Sequence, residues 1–254
     1  MYPQLFSVGP FTVHSYGLMM MLGFLAAGIT AYYGFKRRGL DTQNLFILVF
    51  AAAVGGLAGA KIDYLLVNAG EFKNDPVGTV LSGAGLIWFG GFLGALVLSL
   101  AVMSIYRLPW AKVLDAAAPA VAIGYAFGRI GCFLNGTCYG RESDLPWAVA
   151  FPNGAMPTDI AVQPTQLYSS LAAFAIFGAL LVLQPRLKRD WSLFLVFLIM
   201  AGAERFLVEF LRFNRDGQLQ ARVVAVSIAA AAGLTLIWVL RRPAVKEAPS
   251  RAYP

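Results

Sequence analysis

Histidine occurs once in the 254 residues, cysteine twice, and Asp, Glu, Lys and Arg together make up only 13%. One imidazole and two thiols give no strong metal-binding constellation, since a protein metal site ordinarily collects three or four His, Cys or carboxylate ligands. They are also too few for a disulfide framework. A soluble domain would be roughly 25% charged, so an ordinary soluble core is excluded. Lysine and arginine are absent from the first 13 residues, and no small-residue cleavage site follows a short apolar run. A cleavable signal peptide is therefore not expected, and the first apolar segment is read as retained.

What the sequence has in excess is apolar residues, at 59%. Several runs reach the roughly 20 residues that a helix rising 1.5 Å per residue needs to cross a ~30 Å hydrocarbon layer. Seven spans are expected, at about 16–35, 45–67, 85–106, 114–134, 165–184, 191–211 and 221–240. The basic residues between and after them gather on one side: Lys36, Arg37 and Arg38, then Arg107 and Lys112, then Arg186, Lys188 and Arg189, then Arg241, Arg242, Lys246 and Arg251. The positive-inside rule makes that side cytoplasmic. The fold class is thus an all-α membrane protein with seven transmembrane helices, its N-terminus outside and its C-terminus cytoplasmic. Residues 1–242 form one seven-span domain and 243–254 a short cytoplasmic tail. The 68–84, 135–164 and 212–220 connections face outward. A formal charge of +7 is explained by this topology and does not point to nucleic acid.

The connection 135–164 holds Pro146, Pro152, Asn153, Gly154, Pro157 and Pro164, residues that favour turns over a regular helix. Glycines at 55, 56 and 59, at 90, 91 and 94, and at 124 and 128 have the spacing of close helix packing.

An ionisable residue within a span costs at least ~2.5 to 3.5 kcal/mol at the bilayer centre unless paired or hydrated. Lys61, Asp63, Arg129, Glu204, Arg205 and Glu209 are such residues, with Arg212 just beyond them. Arg205, Glu209 and Arg212 stand at i, i+4 and i+7, one helix face, as a plus-minus-plus ladder. That ladder is either a structural ion-pair network or a device that holds an arginine in a fixed pose. Arg129 ends another span on the same side, and two guanidinium groups there suit a phosphate, the anion of a phospholipid head group. Around Arg129, Gly128, Gly131, Gly136 and Gly140 permit close backbone approach and positive-φ turns, and Asn135 adds amide donors and an acceptor. A helix fraying there at membrane depth must line a cavity.

At these residues the chain resembles the prolipoprotein diacylglyceryl transferase family. The signature Gly-Arg-x-Gly-x-Phe-x-Asn-Gly-x-x-x-Gly-Arg is met by Gly128, Arg129, Gly131, Phe133, Asn135, Gly136, Gly140 and Arg141. His14 to Met19, Gly90-Gly91, Pro164 to Tyr168, and Arg205-Phe-x-x-Glu209-Phe-x-Arg212 are similar to further family motifs. The resemblance implies seven spans, a multi-pass place in the bacterial cell (inner) membrane and an outward-facing site. It also implies transfer of the diacylglyceryl group of phosphatidylglycerol to the thiol of a lipobox cysteine in a prolipoprotein, with a thioether formed and glycerol 1-phosphate released. Its partners are then phosphatidylglycerol, the prolipoprotein and membrane lipid, with no cofactor and no metal. Catalytic candidates are Arg129, Arg205, Glu209, Tyr16 and His14. Phosphatidylglycerol-binding candidates are Arg129, Asn135, Gly140, Arg141, Arg205, Arg212 and Gln166.

Several motif positions depart from the family pattern. Phe89 stands where a histidine usually precedes the Gly-Gly pair, and Thr165, Ser169, Cys132, Thr137 and Lys61 replace other polar residues. The loss of the histidine leaves His14, Tyr16 and Glu209 as proton acceptors to be weighed. Glu209 between two arginines should stay ionised and is a weak base. The departures also admit a non-catalytic or altered-acceptor paralogue that binds a phospholipid head group. Cys132 and Cys138, six apart, suit a disulfide outside the membrane, two inert packed thiols or a reactive nucleophile.

Overall fold

The structure is a computed structural model describing residues 3–8, 11–70, 88–212 and 218–241. Most of the expected 68–84 connection, part of the 212–220 connection and the tail from Pro243 lie outside the described residues. Among the described residues there are seven α-helices: α1 Ser15–Arg37, α2 Thr42–Val67, α3 Trp88–Ile105, α4 Trp110–Asn135, α5 Thr165–Leu183, α6 Ser192–Glu209 and α7 Gln218–Arg241. Each coincides with one apolar run to within a few residues. Five helices, Ser15–Arg37, Thr42–Val67, Trp110–Asn135, Thr165–Leu183 and Leu219–Arg241, are long and apolar enough to cross a membrane. α3 is apolar but shorter, and α6 carries Glu204, Arg205 and Glu209 within its 18 residues. Outward-turned side chains such as Phe24 and Leu234, 72% and 71% exposed, would be costly in water and are at home against lipid. The chain is a multi-pass membrane protein.

Two short antiparallel hairpins, which the sequence did not suggest, accompany the helices. β1 Gln4–Val8 pairs with β2 Phe11–His14, and β3 Val149–Phe151 pairs with β4 Thr158–Val162. The second hairpin lies inside the 135–164 connection, which contains no helix, as its proline and glycine content required.

The chain divides into two compact units, residues 32–113 and residues 1–31 with 114–254. In the first, α2 and α3 meet through glycine. A Cβ on Gly59 would strike the Gly90 carbonyl oxygen, and one on Gly94 the Gly55 carbonyl oxygen. The Gly90 N–H donates to Asp63 Oδ2 at 3.0 Å, which gives that carboxylate a partner. Asp41 caps α2 by accepting from the Gln43 N–H at 2.9 Å.

In the second unit Ala118 and Ala122 of α4, Ile176 and Leu180 of α5 and Leu193 of α6 form one buried cluster. The start of α6 is satisfied from α4, since buried Asp115 accepts from the Phe194 N–H at 2.7 Å. Ser170 of α5 donates to the Ala126 carbonyl of α4 at 3.0 Å. α1 lies against α4, with Gly23 beside Phe127 and Gly131 beside Tyr16 and Met19. The close-packing role fits the α2–α3 glycines most tightly; Gly124 faces Gly23 of α1, whose added Cβ would meet the Gly124 carbonyl oxygen at 3.3 Å, and Gly128 has only an ordinary van der Waals neighbour in Met20.

Candidate active site

The end of α4 is a Schellman turn. Gly136 adopts φ +67°, its N–H donates to the Phe133 carbonyl at 3.1 Å, and the Thr137 N–H donates to the Cys132 carbonyl at 3.0 Å. A residue with a Cβ resists that backbone conformation, which is why the position is glycine. Cys138 follows with φ +62°. This second left-handed residue folds the chain back, so that the Cys138 side chain returns to Cys132 one turn before the helix end.

Three segments are then stitched together. The Gly140 N–H donates to the Gln163 carbonyl at 2.8 Å, the Arg141 N–H to the Leu211 carbonyl at 2.9 Å, and the Gln163 N–H to the Arg141 carbonyl at 3.0 Å. A Cβ on Gly140 would meet the Leu211 carbonyl oxygen, Thr165 Cγ2 and Gln163 Cβ. Side chains lock the same junction: Thr165 Oγ1 donates to the Cys138 carbonyl at 3.1 Å, and Gln166 Nε2 to the Thr137 carbonyl at 2.8 Å. Gln166 is buried. Beneath the turn Phe151 of β3 is fully buried, stacked on Tyr139 with centroids 5.4 Å apart and met edge-on by Phe133 at 5.8 Å. The hairpin tip closes over the turn, the Ala155 N–H donating to the Asn135 carbonyl at 2.8 Å.

Around this frame the charged residues converge. The Arg129 guanidinium lies over the ring of Tyr125, one helical turn earlier, with its carbon 4.8 Å from the centroid. Arg205 Nη2 stands 2.7 Å from Glu209 Oε2, and Glu209 is buried while Arg205 is a third exposed. The charges of Arg129, Arg212 and Glu209 all act on Arg205. Tyr16, at the start of α1, feels Arg129, Cys132 and Cys138. Tyr16, Arg129, Cys132, Cys138, Arg205, Glu209 and Arg212 therefore share one neighbourhood.

Two expectations need correction here. Arg212 does not continue a helical ladder, because α6 ends at Glu209, and Arg212 instead forms an antiparallel bridge with Gly140. The backbone pairing of Leu211 with Arg141 outcompetes another helical turn. Cys132 and Cys138 are free thiols and are not bridged. His14 stays exposed at the end of β2 and is not drawn into the cluster, and the Arg141 side chain also points to the exposed surface. Asn135 is the last residue of α4, partly buried. Phe89 begins the apolar part of α3 in the other unit, 64% exposed.

The Cys138 thiol is pulled down to about 5 from the ordinary thiol value. Its hydrogen bond with Cys132 is the largest cause, and Arg129, Thr137 and Arg212 act in the same direction against burial. Sequence reasoning did not find Tyr125 or Phe151. Tyr125 stands at i−4 from Arg129, a spacing that signals a helical pair, whereas nothing in a three-residue strand announces Phe151.

Comparison with known proteins decides the family. The model of the prolipoprotein diacylglyceryl transferase family matches residues 3–240. The chain belongs to that family. A phosphatidylglycerol–prolipoprotein diacylglyceryl transferase of Clostridium tetani is 33% identical over 226 residues, covering 86% of this chain and 88% of its own. A relative of the same name from Dehalococcoides mccartyi is 34% identical over 238 residues, 91% and 90% of the two chains. One from Acinetobacter baumannii is 34% identical over 218 residues, 83% and 79%. Of the four signature glycines, Gly128 and Gly131 lie within α4, Gly136 makes the Schellman turn and Gly140 sits on the three-way seam.

Proposed function

We propose that this chain is a phosphatidylglycerol–prolipoprotein diacylglyceryl transferase. The acceptor is the thiol of a lipobox cysteine. Its sulfur attacks the glyceryl carbon that bears the phosphate ester, the carbon–oxygen bond breaks, and glycerol 1-phosphate departs with the bonding pair while the thiol proton passes to a base. The observation that carries this reading is the convergence of Arg129 on α4, Arg205 on α6 and Arg212 beside Gly140. Negative charge grows on the departing phosphate, and fixed guanidinium groups in a site of low dielectric stabilise it more in the transition state than in the bound lipid.

Arg129 is held over Tyr125 and Arg205 is held by Glu209, so neither must reorganise as the charge develops. Gln166 positions the turn through the Thr137 carbonyl, and Asn135, Gly140 and Arg141 shape or flank the same pocket for the head group. Cationic surroundings also favour the acceptor thiolate. Tyr16 lies beside Arg129, but a phenol is protonated near neutral pH, so it serves there as a hydrogen-bond donor, and exposed His14 is the more distant candidate for the proton. Glu209 is best assigned to holding Arg205.

The topology that goes with this function has residues 1–242 as one seven-span domain in the bacterial cell (inner) membrane. Its N-terminus and the α4–α5 connection lie outside, and its C-terminus is cytoplasmic. Grouping of basic residues at the end of α1, between α3 and α4, between α5 and α6 and at the end of α7 supports it. The deciding experiment incubates purified protein with phosphatidylglycerol and a lipobox peptide. Thioether product is expected. Retention of the lipid without product, beside an active family member, would instead establish the head-group-binding paralogue that Phe89 leaves open.

A further inference from the structure

We infer that Leu145 and Trp147, on the turn before β3, seat the α4–α5 connection in the head-group layer of the bilayer, with glycerophospholipid as the partner of that surface. The indole is held in place from α5. Trp147 Nε1 donates to Tyr168 Oη at 2.7 Å, and Tyr168 stands in the first turn of that helix. Leu145 shares the turn with Trp147, its carbonyl accepting from the Ala148 N–H at 2.8 Å. Both side chains are exposed, Trp147 by 55% and Leu145 by 40%.

What covers them follows from the helix that holds them. α5 is one of the helices long and apolar enough to cross a membrane. Its face through Ser169, Ala173, Ile176 and Leu180 is buried in the protein. The opposite stripe runs through Tyr168, Leu171, Ala175 and Val182, at i, i+3, i+7 and i+14, and Leu171 and Val182 on it are well exposed. On a spanning helix such a stripe meets acyl chains. Tyr168 opens the stripe, so Trp147, bonded to Tyr168, stands where the acyl chains give way to head groups.

The chemistry of the turn suits that depth. An amphipathic indole prefers the membrane interface, and an N–H already bonded to Tyr168 carries its acceptor with it into the acyl boundary. Glu142, Asp144 and Asp159 are exposed and outnumber Arg141 in the connection, so the attraction is to the apolar boundary and not to anionic lipid. Phe151, four positions after Trp147, is fully buried and stacked on Tyr139. Four residues reach at most about 14 Å, so the anchor ties the turn after α4 to the lipid surface. None of this depends on the reaction proposed above.

The test reconstitutes wild type and Trp147→Phe into nanodiscs of phosphatidylcholine brominated either near the ester end of one acyl chain or near its middle. The difference in tryptophan emission is the Trp147 signal. Bromine near the ester end should quench it more strongly than bromine near the middle or iodide in the water. Quenching by iodide without quenching by bromine, or strongest quenching from the chain middle, would overturn the anchor. The signal should be quenched without phosphatidylglycerol, and quenching that appeared only on adding that lipid would overturn the apolar attraction. Taken in a Tyr168→Phe background, the same difference should move toward iodide, whereas an unchanged difference would overturn the hold from α5. A second arm leaves Trp147 and its hydrogen bond intact. Leu145→p-benzoylphenylalanine, irradiated in phosphatidylcholine nanodiscs with a lipobox peptide present, should yield an adduct with phosphatidylcholine. Adducts with the peptide alone, or with a second copy of the chain alone, would overturn lipid as the partner.

Discussion

The Arg129 guanidinium carbon sits 4.8 Å from the centre of the Tyr125 ring, stacked one turn back along α4. A cation held over an aromatic face in a partly desolvated place is worth about 0.5 to 2 kcal/mol. Tyr125→Leu should therefore lower kcat/KM by about three- to thirtyfold, as measured by thioether formation on a lipobox peptide. Tyr125→Phe should recover most of that loss, since it keeps the ring and gives up only the hydroxyl.

Removing either arginine is expected to cost more. Arg129→Ala and Arg205→Ala should each lose at least about 2 kcal/mol of transition-state stabilisation, roughly thirtyfold in kcat/KM. Lysine should rescue poorly at either position, because an ammonium lacks the planar fork that meets two phosphate oxygens. Wild-type rates for either alanine variant would refute the arginine clamp.

Glu209→Gln separates holding from chemistry. Loss of the 2.7 Å ion pair leaves Arg205 without its acidic partner beside Arg212. With Arg205 a third exposed, the expected destabilisation is about 1 to 2 kcal/mol, less than for a fully buried pair. Thermal unfolding in detergent reads that term. Steady-state kinetics should show kcat falling with the pH profile unchanged in shape. A shift of the profile would instead make Glu209 the base.

Gly140→Ala pushes a methyl group into the Leu211 carbonyl oxygen and the Thr165 and Gln163 side chains. Overpacking of this kind costs about 1 to 3 kcal/mol. A lower unfolding temperature and a loss of activity are expected together, whereas Gly17→Ala, with open space around it, should leave the unfolding temperature nearly unchanged.

The reactivity of Cys138 should carry the signature of its surroundings. The thiolate is the nucleophile, and its value of about 5 means that it stays charged well below the usual thiol range near ~8.5. Iodoacetamide should therefore label Cys138 at a nearly constant rate from neutral pH down to about 6, falling only as pH drops through about 5. Cys132→Ala removes the largest cause and should raise that midpoint. Labelling of wild type that already declines between pH 9 and 8 would contradict the arrangement.

The helices were legible because apolar runs announce themselves: each of the seven coincides with one, five of them long and apolar enough to cross a membrane, and Arg129 and Arg205 stood out as charges within such runs. The turn was legible from its glycines. The hairpins were not, since strands as short as Phe11–His14 and Val149–Phe151 give too few residues for an alternating pattern to rise above chance. Arg212 was misplaced for a related reason. Helical spacing can be extended on paper past Glu209, but the chain there obeys a backbone pairing with Arg141 that involves residues about seventy positions away.

That pairing makes the Gly140, Arg141 and Gln163 amides members of one cooperative unit. Their three hydrogen bonds join the turn after α4, the start of α5 and the end of α6. They should exchange their protons for deuterium on a common timescale, opening together in a sub-global event and not fraying one by one. Fraying at any one of these three segments is thus held in check by the other two.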